Sequence, residues 1–487
     1  MRKLVMLFLG FGLIVSSCKK NDDDGGGIKP EPDAKVEVQD FMWKALNQWY
    51  FWQADVPDLA DNRFSDTKEY TTFLAKHTNP EKFYNDVLLF TDDRFSFLNE
   101  DYKVLVQSFA GISKSNGLDF GLIRFADSDD IFGYVRYIVA GSDAAGKDIN
   151  RGDIFTGVNG QTLNINNYRD LLFGDSDTYI LNMATITNGT VTDNSTEVSL
   201  TKQESLVENP VFITKTIEKN GIKIGYIMYN SFTRNFDEEL NNAFGQLKSD
   251  GVTELVLDMR YNPGGSVNTS RLLASMIYGT KTNDLYIRQR WNAKIQAELP
   301  KEHLEDYFAA TTGDGTAINT LNLSKVYVLA TNSSASASEL VMNGLAPYID
   351  IVHIGEKTRG KNEFSITLVD IPSNNYIYNA SKESQISPTN KWGIQPLVGR
   401  NENSAGFSDY TDGLVPDIEL EEDLENLGVL GDPTEPLLKK AIDLITASSS
   451  KTDFTVKMPA KSFTNSKMFT ATKDNMYLDK PLNISLK

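Results

Sequence analysis

Between Gly221 and Ser450 the apolar residues fall into two alternating patterns. Ile222–Met228, Glu254–Asp258 and Val326–Ala330 are short, nearly continuous apolar runs, as in strands buried on both faces. Phe236–Leu247, Ser270–Tyr278 and Leu340–Tyr348 space their apolar residues three and four apart, as in amphipathic helices. Strand and helix taking turns predicts an α/β core over 206–450. Ile351–Ile354 and Phe364–Ile371 add two strands, Asp412–Asp417 closes the core and Pro436–Ala447 is its last helix; a polar excursion, 280–322, interrupts it. Upstream, 105–205 changes to short alternating strands punctuated by glycine. Upstream again, Val38, Phe41, Met42, Ala45, Leu46, Trp49 and Tyr50 lie at helical spacing. With Thr67–Leu74 and Pro80–Leu89 they predict a small helical region over 35–104 whose aromatics form a core. Residues 451–487 are a polar C-terminal extension with some strand-like alternation and no assignable role.

The charge balance, 48 Lys and Arg against 66 Asp and Glu for a net −18, argues against a general nucleic-acid binder. Arg2 and Lys3, an apolar run from Leu4 to Val15 and the small residues before Cys18 lie outside any fold; the run is too short to span a bilayer. The arrangement resembles a bacterial lipoprotein signal over 1–18, which implies that Cys18 is the lipidated first residue of the mature chain. Residues 19–34 are a polar, Gly-rich tether. Its Asn21–Asp24 run resembles the acidic signal of surface-displayed Bacteroidetes lipoproteins; plain solvation of a tether is the alternative. The expected location is the outer membrane, with attachment through the lipid. Cys18 is the single cysteine, so no intramolecular disulfide and no Cys-based zinc site can form.

Within 105–205, Gly117-Leu118-Asp119-Phe120-Gly121 opens a strand, and Gly141–Ala145, Ile149–Ile154 and Val158–Gly160 follow. This order resembles a PDZ domain, which binds extended peptides by strand addition and holds a terminal carboxylate on a loop of N–H groups, here Gly117–Gly121. Arg151–Asp153 spells an integrin-type motif but reads as a turn before a strand.

Three stretches carry candidate chemistry. Thr331–Leu340, TNSSASASEL, joins an apolar run to a helix, and Ser336 with Glu339 reads as a capping box. A serine nucleophile uses the same place, where free N–H groups and the helix dipole favour negative charge. Leu257–Gly265, LDMRYNPGG, follows a buried strand with two glycines that let backbone N–H groups face a ligand; an ordinary turn is the alternative. A serine also needs a base. Of three histidines only His353 lies in the core, on a strand, where packing explains it. Lys361 can serve if burial lowers its pKa. Gly355–Lys361 also echoes a phosphate-binding loop, but Asn362 stands where Ser or Thr is needed and a strand follows instead of a helix.

Taken together, LDMRYNPGG, SSASASELV and IGEKTRGK resemble the C-terminal processing (tail-specific) serine peptidases, related to the tricorn core, in order and spacing over about 35–445. The resemblance implies a crotonase/ClpP-like βαβ superhelix within an α/β multidomain chain. It implies Ser336 as nucleophile, Lys361 as general base, and Gly264, Gly265 and Ala337 as oxyanion donors. It implies polypeptide substrates and no metal or cofactor. Many members place a glutamine four residues after the lysine to orient it; here that position is Ser365, a possible orienting residue. The rival reading is a non-catalytic binder of peptides or apolar ligands on the same fold, as in the related retinoid-binding proteins. The oligomeric state is not legible.

The leader reading makes one direct prediction. Cys18→Ser abolishes lipid labelling and moves the protein to the soluble fraction; a variant that stays in the membrane fraction contradicts it.

Overall fold

The computed structural model describes residues 36–447 and 460–479; Cys18, the leader and the tether lie outside them. Helix α1 (Glu37–Trp49) turns Phe41, Met42, Ala45, Leu46 and Trp49 inward, and all are buried. The helix Thr67–Lys76 and the π-helical Phe83–Leu88 pack in the same cluster. Among the described residues, no helix is long and apolar enough to cross a membrane.

The β-rich unit contains β1 (Leu118–Phe125), β2 (Ile131–Ile138), β3 (Ile154–Val158), helix α2 (Tyr168–Phe173), β4 (Thr178–Thr187) and β5 (Thr190–Thr201). Arg151 and Gly152 form the turn before β3, and Gly152 takes a φ of 92° there.

The core sheet runs β6 (Val211–Lys219), β7 (Ile222–Tyr229), β8 (Glu254–Asp258), β12 (Lys325–Ala330), β13 (Asp350–Gly355) and β16 (Ile418–Glu419). Only β6 is antiparallel to its neighbour. Both faces are covered, which explains the continuous apolar runs. Ile227, Leu255, Leu257, Val326 and Val328 share a cluster with α3 (Asp237–Asp250), α4 (Val267–Tyr278) and α5 (Ala337–Leu345). Ile224, Tyr226, Val256 and Leu329 share another with α6 (Pro436–Ile445).

A second six-stranded sheet was less legible. Its order is β9 (Gly265–Ser266), β18 (Met476–Tyr477), β14 (Glu363–Ser365), β15 (Leu397–Asn403), β10 (Leu285–Trp291) and β11 (Glu305–Tyr307). The polar excursion therefore contains two strands, β10 alternating buried Ile287, Gln289 and Trp291 with the more exposed Arg288 and Arg290. The expected strand Phe364–Ile371 is broken: β14 pairs with β15, whereas Leu368–Val369 joins a different, three-stranded sheet. The 460–479 segment supplies β18 here and β17 (Ala460–Asn465) at the edge of the β-rich sheet.

The units are joined by a buried ionic knot. Arg260, fully buried, donates to Asp258 Oδ2 at 2.8 Å, Glu435 Oε1 at 2.6 Å and Glu422 Oε1 at 3.0 Å. Arg151 of the β-rich unit donates to the same Glu422 at 2.7 Å. Burial works to raise the Glu422 carboxyl, but Arg151 and Arg260 outweigh it and hold the group down at about 2. Removing one partner leaves uncompensated buried charge. Arg260→Ala is therefore expected to cost about 3–5 kcal/mol in urea unfolding, against near-zero loss for the exposed Arg124. Because the Glu422 pKa is depressed, its contribution is present above about 4.5 and lost as pH falls towards 2, so the difference between wild type and variant shrinks in acid.

Candidate active site

The three motif loops leave the carboxyl ends of β8, β12 and β13, which are adjacent and parallel. That is where open parallel sheets gather their functional loops. The loop after β12 is pinned to the loop after β8. Ala335 N–H donates to Asn262 O at 3.1 Å, Ser338 Oγ to Asn262 O at 3.0 Å and Ser334 Oγ to Met259 O at 2.7 Å. Of the three alternating serines, two thus spend their hydroxyls on structure. Ser336 does not: its Oγ is buried with no hydrogen-bond partner. Ser336 holds φ 65° and ψ −114°, a strained backbone that costs about 1–3 kcal/mol and marks functional turns.

Glu339, one turn into α5, is fully buried and serves both turns. Its Oε2 accepts the N–H of Ser336 at 2.7 Å and of Lys361 at 2.9 Å; its Oε1 accepts the N–H of Gly360 at 2.7 Å and the hydroxyl of Thr358 at 2.5 Å. The expected capping box is therefore present on the glutamate side, and the glutamate also fastens the lysine turn. Burial, the largest influence, pushes the Glu339 carboxyl up to about 7 against these hydrogen bonds.

Lys361 is fully buried, and burial pulls its pKa down to about 8. Its Nζ lies 4.8 Å from the Phe95 ring centroid and donates to Asp474 O at 3.1 Å and Asn475 Oδ1 at 3.0 Å. Arg94 Nη2 donates to Gly360 O at 2.7 Å, so the N-terminal region braces the base turn. Ser365 sits beside this group but addresses Asn475 rather than the lysine. Its Oγ lies 2.9 Å from both Asn475 Oδ1 and Met476 O, either of which can take its one proton, and it accepts from Gln395 Nε2 at 2.9 Å.

The two glycines differ. A Cβ on Gly264 would lie 2.6 Å from Ser336 Cβ and 3.0 Å from Ala337 N, so only glycine admits the nucleophile turn; its φ is 109°. Its N–H, expected as an oxyanion donor, is committed to Asn262 Oδ1 at 2.9 Å. Gly265, at φ 138°, passes against Phe232 O and opens β9. Ala337 is the first residue of α5, where helix N–H groups lack intrahelical acceptors.

Gly117, Leu118, Asp119 and Phe120 line a cavity shared with Pro263 of the glycine turn, but the segment differs from the expected loop. The turn is at Asn116–Gly117, and Leu118–Gly121 already pair with β2, because apolar Leu118 and Phe120 enter the core of the β-rich unit. Asp119 is buried there. His353 is buried on β13, its pKa lowered by that burial, and its ring makes no hydrogen bond to Ser336 Oγ. Among the described residues, no group of three or more His, Cys, Asp or Glu side chains is arranged to hold a metal ion.

A model described as peptidase family S41 matches residues 223–399, and one described as the peptidase S41 N-terminal domain matches 37–97. Both regions of the chain thus match peptidase family S41. The carboxyl-terminal-processing protease of Picosynechococcus is 25% identical over 255 residues, 52% of either chain. That of Synechocystis is 24% identical over 319 residues, 66% of this chain and 64% of its own. The chain thus spans from about half to under two thirds of the length of these curated relatives. The crystal structure of an S41 protease from Bacteroides fragilis, 27% identical, aligns over 87% of this chain and all of its own with a TM-score of 0.64. The α/β multidomain S41 fold with a helical N-terminal region is thereby established.

The sequence offered no sign of Asp474 and Asn475, two polar residues in a polar extension. Glu339 was visible, but only as a cap.

Gly264→Ala supplies a direct check. With its Cβ 2.6 Å from Ser336 Cβ, the variant is expected to fold yet lose reactivity of Ser336 towards a fluorophosphonate by about 100-fold or more. Circular dichroism verifies the fold, and undiminished labelling contradicts the packing argument.

Proposed function

We propose that this chain is a serine endopeptidase of the C-terminal-processing type, acting through a Ser336–Lys361 dyad and an acyl-enzyme. The observation that carries the reading is the shared carboxylate: Glu339 Oε2 binds the backbone of an uncommitted buried serine and of a buried lysine at once. A lysine in a water-filled loop is protonated at neutral pH and cannot accept a proton. Lys361, pulled down to about 8, is neutral in roughly a tenth of molecules at pH 7. Its lone pair takes the Ser336 proton as Oγ attacks the scissile carbonyl. The Ala337 N–H stabilises the developing oxyanion, with the backbone at Gly264 and Gly265 beside it. As the C–N bond breaks, the Lys361 ammonium gives its proton to the leaving amine. Water then attacks the acyl-enzyme, Lys361 again taking the proton, and frees the new carboxylate.

The β-rich unit, in this reading, is a PDZ-like domain that receives extended polypeptide. A lipid on Cys18 holds the enzyme at the outer membrane.

Ser336→Ala and Lys361→Ala should each abolish peptide hydrolysis, and the double variant should be no worse than either, because the two act as one unit. Lys361→Arg should be inactive, since guanidinium stays protonated. The lysine must be neutral to act, so the wild-type rate should rise with pH through about 8 and level off above it. Hydrolysis at wild-type rates by folded Lys361→Ala would remove the lysine from the mechanism. Absence of any Ser336-dependent labelling or hydrolysis would favour the binding-protein alternative.

A further inference from the structure

Residues 460–479 follow the route that an extended polypeptide ligand would take. Strand β17 lies at the free edge of β1, antiparallel to it, with Ala460 opposite Phe125 and Asn465 opposite Gly121. Its leading end reaches the start of β1, where Phe120 N–H donates to Ser466 Oγ at 3.1 Å and that hydroxyl donates to Asp119 at 2.9 Å. Helix α2 forms the opposite wall. Phe469 stacks on Phe173 with centroids 4.0 Å apart, and Phe463 meets Tyr168 edge-on at 5.3 Å. A strand added at a sheet edge, with side chains set against a facing helix, is how β-augmentation grooves hold peptides.

The segment then enters the catalytic centre. Strand β18 is wedged between β9, which begins at the second glycine of the pair, and β14, which follows Lys361. Met476 is fully buried there, and Tyr477 packs on Phe109 at 4.2 Å. Asp479 accepts from Ser266 Oγ at 2.9 Å. Asp474 O and Asn475 Oδ1 take two of the donors of Lys361 Nζ, while Ser336 Oγ is buried and unbonded. The nucleophile and base a peptidase needs in mutual contact are thus both present, sealed from solvent and not hydrogen-bonded to each other.

We propose that residues 460–479 are an internal ligand of one continuous polypeptide track, running from the β1–α2 groove to the slot between β9 and β14, and that substrate enters only by displacing them. The proposal rests on the peptidase reading and adds its regulation: the enzyme is latent while its own segment fills the track. A covalently attached occupant competes at an effective concentration of about millimolar for short linkers, so weak free peptides do not open the site. A polypeptide that engages both halves of the track does. The contacts of half-buried Phe469 and of buried Met476 and Tyr477 indicate that the track favours large apolar and aromatic side chains at those places.

The test uses the full chain. Phe463→Ser with Phe469→Ser loosens the segment in the groove, away from Ser336; separately, Met476→Asp sets a charge in the buried slot. The readouts are the rate of fluorophosphonate labelling of Ser336 and the cleavage of denatured casein, with Ser336→Ala as the blank. Each variant is expected to exceed wild type at least tenfold, and a synthetic peptide of residues 460–479 is expected to slow the double-Phe variant again. Ser336-dependent rates equal to or below wild type in both folded variants would overturn the latency proposal alone and leave the peptidase reading standing; the segment would then be part of the working site. Failure of every form to react at Ser336 would overturn both.

Discussion

Glu339 carries four hydrogen bonds in a place that water does not reach, three of them from backbone N–H groups of two different turns. Taking a carboxylate out of water costs several kcal/mol unless its acceptor sites are filled. Those donors fill them, and they come from the turns that hold Ser336 and Lys361. The arrangement makes the geometry of the pair a condition of burying the acid. Losing either turn would leave an unsatisfied buried carboxylate, which is far more costly than losing one solvent-exposed bond. The strained φ of Ser336 is tolerated because this carboxylate, the Asn262 carbonyl and the bare α-carbon of Gly264 determine the turn from three sides.

A second buried charge does comparable work at longer range. Arg260 lies two residues before Asn262, so the ion pairs that hold its guanidinium also hold the loop on which the serine turn rests. Arg151 and Tyr261 extend the knot through Glu422 into the β-rich unit. Arg136 of that unit reaches Ser333 at 2.8 Å, within the serine turn itself. A peptide bound at the β-rich unit therefore acts on a body joined to the catalytic loops by buried, charge-assisted hydrogen bonds, which are stronger than neutral ones.

The lysine pocket is assembled from three distant stretches. Phe95 comes from the N-terminal region, Glu339 from α5 and Asn475 from the 460–479 segment. Dry surroundings lower the lysine pKa, and the carbonyl and amide oxygens there keep the amine bonded without adding a full opposing charge. Asn475 Oδ1 bridges the Ser365 hydroxyl and the amine.

Much of this was legible in the chain. Short, mostly apolar runs bounded by turns located β8, β12 and β13, because strands buried on both faces tolerate few polar residues. The three motifs singled out Ser336, Lys361 and the glycine pair, because each needs a particular residue type at a particular turn. Strand β10 was hidden in a polar excursion because its outward Arg288 and Arg290 are charged, β11 because it is three residues long and turns Asp306 inward, and β17 and β18 because they are short and bordered by Lys, Asn and Asp. That Glu339 binds Lys361 as well as capping α5, and that Asn475 stands beside the amine, could not be read locally. Those contacts join residues 22 and 114 positions apart, and only the tertiary fold brings them together, whereas Gly264 N–H is taken by Asn262 two residues away in the same loop. The sequence by itself determined which side chains can do chemistry. The tertiary structure decided which are dry, which are already bonded and which polypeptide occupies the track, because desolvation and hydrogen-bond commitment depend on everything that surrounds an atom and not on its neighbours in the chain.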